Sequence, residues 1–143
     1  VYEPLILKTN RYQTIHLIVR NGKIESIEEV ANIPSALSKL GMPVKPILCG
    51  GTNKHNQERE QWHSGANFFA FAPGKIIGYE RNTHTVEELS KEGFSVIKAS
   101  DVINGNENTD DHEKVVVTIH GSELARGGGG ARCMTMPVRR EVF

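Results

Sequence analysis

The alternation of polar and apolar side chains predicts a β-hairpin early in the chain. Residues 12–19 and residues 24–30 both alternate in this way, which is typical of strands with one buried face. Asn21-Gly22 lies between them and tolerates the positive φ angles of a tight turn. A short helix over residues 34–40 and an irregular strand over residues 44–48 should follow.

The rest of the chain reads as a second series of strands and helices. A helix over residues 56–62 begins with Asn56 as its cap, and another begins with a capping box at residues 85–88. Residues 104–114 are polar and acidic, which indicates an exposed loop. The predicted strands are residues 68–72, 75–79, 94–97, 115–119 and 133–138. Because a hairpin, a helix and a strand follow one another about twice, the pattern predicts an α/β fold with two related modules.

The charge balance argues against two classes of function. The 143 residues include 17 Lys plus Arg and 17 Asp plus Glu, so the formal net charge is zero. Proteins that bind nucleic acids or anionic membranes normally carry a basic excess. No apolar run in the sequence approaches the ~18 residues that a transmembrane helix requires. We therefore predict no nucleic-acid partner and no membrane partner.

The most informative segment is a run of four glycines ahead of the second cysteine. Residues 127–130 are all glycine, and Cys133 follows closely. Glycine runs are costly in entropy and suit a backbone that must approach a ligand. Backbone N–H groups together with Arg126 and Arg132 could lower the pKa of this thiol and make it a nucleophile. Composition alone favours the alternative of a surface linker before a structural cysteine, and a phosphate-binding loop fits poorly because no Lys-Ser or Lys-Thr follows.

Several short motifs occur in a fixed order over residues 49–139. They are Arg59-Glu60-Gln61-Trp62, Gly65-Ala66-Asn67, Ala72-Pro73-Gly74, Tyr79-Glu80-Arg81-Asn82, Ser122-Glu123-Leu124 and Cys133-Met134-Thr135-Met136-Pro137-Val138. In this order they resemble the arginine deiminase family, and together they are far more specific than a glycine-rich loop. The first 48 residues match that family only loosely, through the hairpin and the short helix.

The resemblance implies a fold and a mechanism. The fold would be α/β, part of a five-module β/α propeller, with residues 1–143 as the C-terminal part of the catalytic domain. The complete enzyme would be a cytoplasmic hydrolase that converts L-arginine and water into citrulline and ammonia, with no cofactor and no metal. Cys133 would be the nucleophile, and Gly127 would bring the loop backbone close to the substrate. The helix with Glu60 and Trp62 would be structural, and Trp62 would supply core area.

The sequence departs from the family pattern in three places. Gly128 stands where the family loop usually has a second arginine, which is associated with the substrate or with gating of the empty site. Either Arg126 compensates for that arginine or the loop works differently here. Residues 99–114 look like a surface insertion. The general-acid histidine and the carboxylates that grip the guanidinium lie upstream in the family, and His16 is only a superficial candidate. We therefore expect a chain that is catalytically incomplete by itself, and that forms a homo-oligomer or associates with the missing N-terminal part.

Two alternatives to arginine deiminase stay open from the sequence. Another guanidino-group enzyme, an amidinotransferase or agmatine deiminase, could end in the same cysteine, although the motifs at residues 59–62 and 122–124 favour arginine deiminase. A non-catalytic interaction module derived from such an enzyme would fit the missing loop arginine at Gly128. The acidic residues nearest the motifs, Glu123 and Asp101, receive no role from the sequence.

Overall fold

The chain divides into two compact units, and each is described by itself. The computed structural model describes residues 1–8 and 12–139. The first unit is Val1–Leu48 and the second is Cys49–Phe143. Helices and small sheets occur in both, so the observed class is mixed α/β, as the sequence predicted. In the described part of the chain, no helix has the length and apolar character needed to cross a membrane.

The first unit contains the predicted hairpin and helix. Its elements are α1 (Glu3–Ile6), β1 (Thr14–Arg20), β2 (Lys23–Val30) and α2 (Ile33–Lys39). The hairpin is confirmed, with positive φ angles of 50° at Asn21 and 74° at Gly22 in its turn. The helix is confirmed as α2, which begins after Asn32 because that side chain accepts a hydrogen bond from the Ser35 N–H at 2.9 Å.

The strand predicted over residues 44–48 is wrong, because residues 42–48 form no regular element. Pro43 and Pro46 supply no backbone N–H, so the segment cannot complete a ladder of hydrogen bonds with a neighbouring strand. The second unit, by contrast, does have strands after its hairpin and helix. The two units therefore share a hairpin followed by a helix, but not the strand.

One face of the hairpin carries exposed apolar side chains. Ile15, Leu17 and Val19 lie on the same face of β1, because they are two residues apart. Ile27 and Ile24 on β2 lie opposite the last two. Each of these five side chains keeps 46–63% of its surface exposed. An apolar face of this kind is normally covered by another part of the molecule or by a partner.

The second unit is built around a four-stranded sheet. Its elements are α3 (Lys54–Trp62), β3 (Phe69–Ala72), β4 (Lys75–Tyr79), α4 (Thr83–Lys91), β5 (Ser95–Lys98), α5 (Ala99–Ile103) and β6 (Val115–Ile119), with 3₁₀ turns at Thr109–Asp111 and Leu124–Gly127. The strand order is β3-β4-β6-β5; β3 and β4 are antiparallel, whereas β4, β6 and β5 are parallel. The carboxyl ends of the parallel strands therefore share one edge, where α/β proteins commonly place functional groups.

The core of this unit lies on the central strand β6. Val115 and Val116 are fully buried, and Val117 is nearly so. A continuous run of β-branched residues is expected for a parallel strand that is covered on both faces. Ile97 of β5 packs with Val115 and Val117 in one cluster. The strand predicted from the β-branched run is therefore confirmed, and the structure adds that it is buried.

Residues 99–114 are partly packed onto the sheet. Ala99 and Val102 of α5 contact the core cluster. The polar part that follows is mostly exposed, as the sequence indicated, and an ion pair between Lys75 Nζ and Asp110 Oδ1 at 2.5 Å ties it to β4. That this segment is an insertion stays a prediction.

Both helices predicted with asparagine or threonine caps begin earlier than expected. α3 begins at Lys54, and its cap is Asn53, whose side chain accepts the N–H groups of residues 55 and 56 at 3.0 and 3.2 Å. α4 begins at Thr83, so Thr85 lies inside the first turn and forms no capping box. The prediction of Asn56 as a cap and of a capping box at Thr85 is therefore wrong.

A carboxylate from α3 caps α4 instead. Glu60 is 1% exposed, and its two oxygens accept the N–H of His84 at 3.0 Å and the N–H of Thr85 at 2.8 Å. The same carboxylate accepts the Thr85 hydroxyl at 2.6 Å, and that hydroxyl accepts the Gly50 N–H at 2.8 Å. Free N–H groups at a helix start favour a negative charge, so this contact joins two helices electrostatically. The structural role expected for the Glu60 helix agrees with this burial.

Trp62 is exposed over 81% of its surface, which contradicts the expectation that it supplies core area. The inward residues of α3 are Gln57 and Glu60, which share one face because they are three positions apart. Trp62 follows Glu60 by two positions and so lies about 200° around the helix axis. The residue type alone suggested burial, but the position on the helix decides it.

Residues 133–138 form no strand, which contradicts the final strand predicted there. The chain instead reverses in two consecutive turns. The Cys133 N–H donates to the Gly130 carbonyl at 3.1 Å, and the Thr135 N–H donates to the Arg132 carbonyl at 3.2 Å. These local bonds use the backbone groups that a strand would present to a neighbour.

Candidate active site

The thiol of Cys133 lies at the protein surface, where a side-chain amide contacts it. Asn67 Nδ2 donates a hydrogen bond to Cys133 Sγ at 2.8 Å. Asn67 lies just before β3, and Phe69, the first residue of β3, pairs with Ile77 near the carboxyl end of β4. The Tyr79 hydroxyl, on the last residue of β4, donates weakly to Met134 Sδ at 3.8 Å. These two contacts place the cysteine turn at the carboxyl edge of the parallel strands.

The surroundings of Cys133 favour its thiolate form. The hydrogen bond from Asn67 lowers the pKa of this thiol, and a backbone hydrogen bond with Gly130 and the nearby Arg132 cation lower it further, while desolvation opposes them. Cys49 is the contrasting case, because it is fully buried and desolvation raises the pKa of its thiol. Of the two free cysteines, only Cys133 combines exposure with a lowered pKa, which are the properties of a nucleophile.

One glycine of the loop is required by a close approach. A Cβ at Gly130 would lie 2.6 Å from the Cβ of Asn67 and 2.7 Å from its carbonyl oxygen. No side chain can occupy that space without displacing Asn67. The contact therefore sets the distance between the loop and the amide that bonds the thiol.

Arg126 and Gly127, which were predicted to bind substrate, lie in the 3₁₀ turn before the glycine loop. Arg126 is exposed, and its Nη1 pairs with Glu123 Oε2 at 3.1 Å. The cation near the thiol is Arg132 rather than Arg126. Gly127 is exposed and has open space where a Cβ would stand. Contact of either residue with substrate stays a prediction.

Asn67 is the site residue that sequence reasoning did not single out. It belongs to the Gly65-Ala66-Asn67 motif, but it lies 66 positions before the cysteine. Nothing in local sequence shows that two such distant residues meet. The only available signal was a polar residue placed directly before a strand, at the edge where functional groups gather.

His16, Asp101 and Glu123, together with the other acidic residues and histidines near the ends of the strands, have other surroundings. His16 lies in β1 of the first unit, and Asp101 lies in α5. His120 and Glu80 form a pair just after the ends of β6 and β4, and Glu123 pairs with the turn arginine. Over residues 1–8 and 12–139, no hydrogen bond joins any of these side chains to Cys133, and no cluster of His, Cys, Asp or Glu could hold a metal ion.

Comparison with known proteins decides the family. A family model described as arginine deiminase matches residues 1–140. The chain belongs to the arginine deiminase family. An arginine deiminase of Mycoplasma capricolum subsp. capricolum is 43% identical over 141 residues, which are 99% of this chain and 30% of that protein. Arginine deiminases of Streptococcus equi subsp. equi and Streptococcus pyogenes are 38% and 39% identical over 123 residues, which are 85% of this chain and 25% of each relative.

The match covers nearly all of this chain but a small part of its relatives. The chain spans 25–30% of the length of these arginine deiminases. The family match includes the first unit, although its sequence resembles the family only loosely, through the hairpin and the short helix. Membership of the family is therefore shown for both units, whereas the activity of the whole relatives is a matter for proposal.

Proposed function

We propose that this chain contributes the nucleophilic cysteine of an arginine deiminase, which converts L-arginine and water into citrulline and ammonia. The observation that carries the proposal is the exposed Cys133 thiol, whose pKa is lowered by the amide of Asn67. Membership of the arginine deiminase family supplies the substrate class. A thiolate at the surface can reach a bound guanidinium, whereas the buried Cys49 cannot.

The proposed chemistry proceeds in two stages through a covalent intermediate. The Cys133 thiolate attacks the guanidinium carbon of arginine, and the resulting tetrahedral adduct expels ammonia after one nitrogen is protonated. An S-alkylthiouronium remains on the sulfur. Water then attacks the same carbon, the C–S bond breaks, and citrulline leaves with the thiolate restored. Covalent catalysis suits this substrate because the resonance-stabilised guanidinium resists direct attack by water.

Asn67 has a positioning role in this proposal. Its amide N–H donates to the sulfur and so favours the thiolate before substrate arrives. The Gly127–Gly130 loop, with Arg126 at its start, would line the substrate, and Gly130 would hold that loop against Asn67.

The remaining machinery would lie outside this chain. The reaction needs a proton donor for the leaving ammonia and carboxylates that pair with the guanidinium. The relatives are more than three times as long as the stretch they share with this chain, so they contain ample sequence for both. We propose that residues 1–143 form the C-terminal part of a five-module β/α propeller in the cytoplasm, with residues 99–114 as an insertion. The exposed apolar face of the hairpin supports association with upstream modules or with a second subunit.

A hybrid enzyme tests the role of Cys133. Residues 1–143 would replace the matching part of the Mycoplasma capricolum relative, to which they are 43% identical. We expect the hybrid to produce citrulline from arginine, the Cys133→Ala hybrid to produce none, and the Cys49→Ala hybrid to keep its activity. The isolated 143-residue chain should form no citrulline. Citrulline production by a folded Cys133→Ala hybrid would contradict the proposed nucleophile.

A further inference from the structure

The Tyr79-Glu80-Arg81-Asn82 motif contacts the segments around the candidate site, but the proposed chemistry gives it no role. It begins at the last residue of β4 and connects that strand to α4, which begins at Thr83. Each of its four residues contacts a different residue far away in the sequence. We refer to residues 79–82 as the connector.

Two residues of the connector hold the segment that carries the cysteine. Arg81 Nη1 donates to the Ser122 carbonyl, shortly before the glycine loop. The Tyr79 hydroxyl donates to Met134 Sδ at 3.8 Å, one residue beyond the cysteine. The Tyr79 ring also packs against Gly121, where a Cβ would lie 2.4 Å from a ring carbon. The connector therefore contacts this segment on both sides of the glycine loop.

The last residue of the connector, Asn82, holds the segment that carries Asn67. Its side chain is 2% exposed, and its Nδ2 donates to the His63 carbonyl at 3.1 Å. Ser64 follows with a φ of 57°, which is uncommon for a residue with a side chain. The Ser64 carbonyl in turn accepts the Asn67 N–H at 3.0 Å. The backbone from His63 to Asn67 is therefore a tight turn that Asn82 holds at its start.

This turn is packed closely along its length. Gly65 donates its N–H to a carbonyl of α3 at 2.7 Å, and a Cβ at Gly65 would lie 2.8 Å from Cys49 Sγ. At the other end of the turn, Gly130 of the loop contacts Asn67. Close-packed interiors have low compressibility and transmit strain. Loss of the hydrogen bond at the start of the turn should therefore displace Asn67 at its end.

We propose that Arg81 and Asn82 are positioning residues that hold the Asn67 amide and the Cys133 sulfur within hydrogen-bond distance. These two consecutive residues bind the two segments, which are 66 positions apart at the Asn67–Cys133 contact. Hydrogen bonds weaken steeply as their geometry departs from the ideal, so the contact depends on both segments being held. The inference deepens the proposed function, since the sulfur is that of the proposed nucleophile.

Alkylation of Cys133 by iodoacetamide over a range of pH tests the proposal in the 143-residue chain. Asn82→Leu removes the donor and keeps a side chain of similar size, and Arg81→Met removes the guanidinium and keeps an unbranched stem. Each should move the alkylation profile to higher pH by about half a unit to one unit, the shift that corresponds to one lost hydrogen bond to the thiolate. The nearby cation, Arg132, is unchanged in both variants.

A double-mutant comparison separates positioning from a general loosening of the fold. In an Asn67→Ala background, Asn82→Leu and Arg81→Met should give no further shift, because the hydrogen bond that they preserve is already absent. Thr118→Val is the matched control. The Thr118 side chain is 5% exposed and its hydroxyl donates to the Ile97 carbonyl at 3.1 Å, so this variant loses a similar bond between β6 and β5. It should keep the native alkylation profile of the cysteine.

The outcomes decide the proposal without any measurement of citrulline. An unmoved profile in a folded Asn82→Leu or Arg81→Met chain would overturn the positioning role of that residue. An equal shift from Thr118→Val, or an undiminished shift in the Asn67→Ala background, would overturn the proposal for both. If circular dichroism shows that Asn82→Leu does not fold, Arg81→Met decides, because Arg81 is only partly buried. An inactive hybrid enzyme would count against the proposed function and leave these alkylation results unchanged.

Discussion

Replacing Glu60 by glutamine removes the charge that caps α4 while keeping the shape of the side chain. In the native chain one oxygen accepts the His84 N–H and the other accepts the N–H and hydroxyl of Thr85. A glutamine offers a single carbonyl oxygen, so its NH₂ group must face at least one of these donors. Two donors then meet inside a region where Glu60 is 1% exposed and water cannot intervene.

The expected cost follows from these contacts. A hydrogen bond to a charged group contributes about 1.5–3 kcal/mol, and a buried donor left without a partner costs about 1–3 kcal/mol. The Thr85 hydroxyl offers some relief, since it can turn toward Cys49 Sγ at 3.5 Å. We therefore expect Glu60→Gln to lower the free energy of unfolding by about 2–4 kcal/mol, from a total of about 5–15 kcal/mol typical of a domain.

Urea unfolding followed by circular dichroism measures this loss. With a slope of about 2 kcal/mol per M, in the middle of the usual range, the midpoint should fall by about 1–2 M. Glu58→Gln is the matched control on the same helix, because Glu58 is 54% exposed and its Lys54 partner is 3.9 Å away. That change should stay within about 0.5 kcal/mol of the native chain. A Glu60→Gln chain as stable as the Glu58→Gln chain would refute the capping role of Glu60.

Three further predictions concern the loop and its thiol. Alkylation of Cys133 by iodoacetamide, measured by mass spectrometry, should begin at lower pH than for free cysteine, because a lowered pKa leaves thiolate where an ordinary thiol is protonated. Cys49 should react only after unfolding, and equal alkylation rates at the two native cysteines would contradict this prediction. Asn67→Ala should move the alkylation profile of Cys133 to higher pH, since the largest cause of the lowered pKa is removed; an unmoved profile would show that the amide does not act on the sulfur. Gly128→Arg restores the usual family residue but places a side chain at φ 78° and ψ 162°, a region almost reserved for glycine, so it should lower the free energy of unfolding in urea by about 1–3 kcal/mol. Gly127→Arg is the control: Gly127 has no positive φ and has open space around it, so the change should cost less than about 0.5 kcal/mol.

Local sequence predicted the elements whose causes are local. The Asn21-Gly22 turn predicted the first hairpin, and the β-branched run at residues 115–119 predicted a strand with the same bounds as β6. Where the sequence failed, a distant residue or a missing backbone group decided the outcome. Thr85 looked like a cap, but Glu60 on another helix caps α4 in its place. Prolines removed the N–H groups that a strand over residues 44–48 would have needed.

The candidate site was predictable as a position but not as an arrangement. A glycine run before Cys133 pointed to the thiol, yet four glycines in a row look alike in a sequence. The structure separates them: Gly127 stands in open space, while Gly130 touches Asn67 so closely that no other residue fits. The amide reached by that contact is the largest cause of the lowered pKa of Cys133. Part of the entropic cost of the glycine run is therefore tied to one long-range contact, and the reactivity of the thiol depends on how the second unit brings Asn67 to the loop.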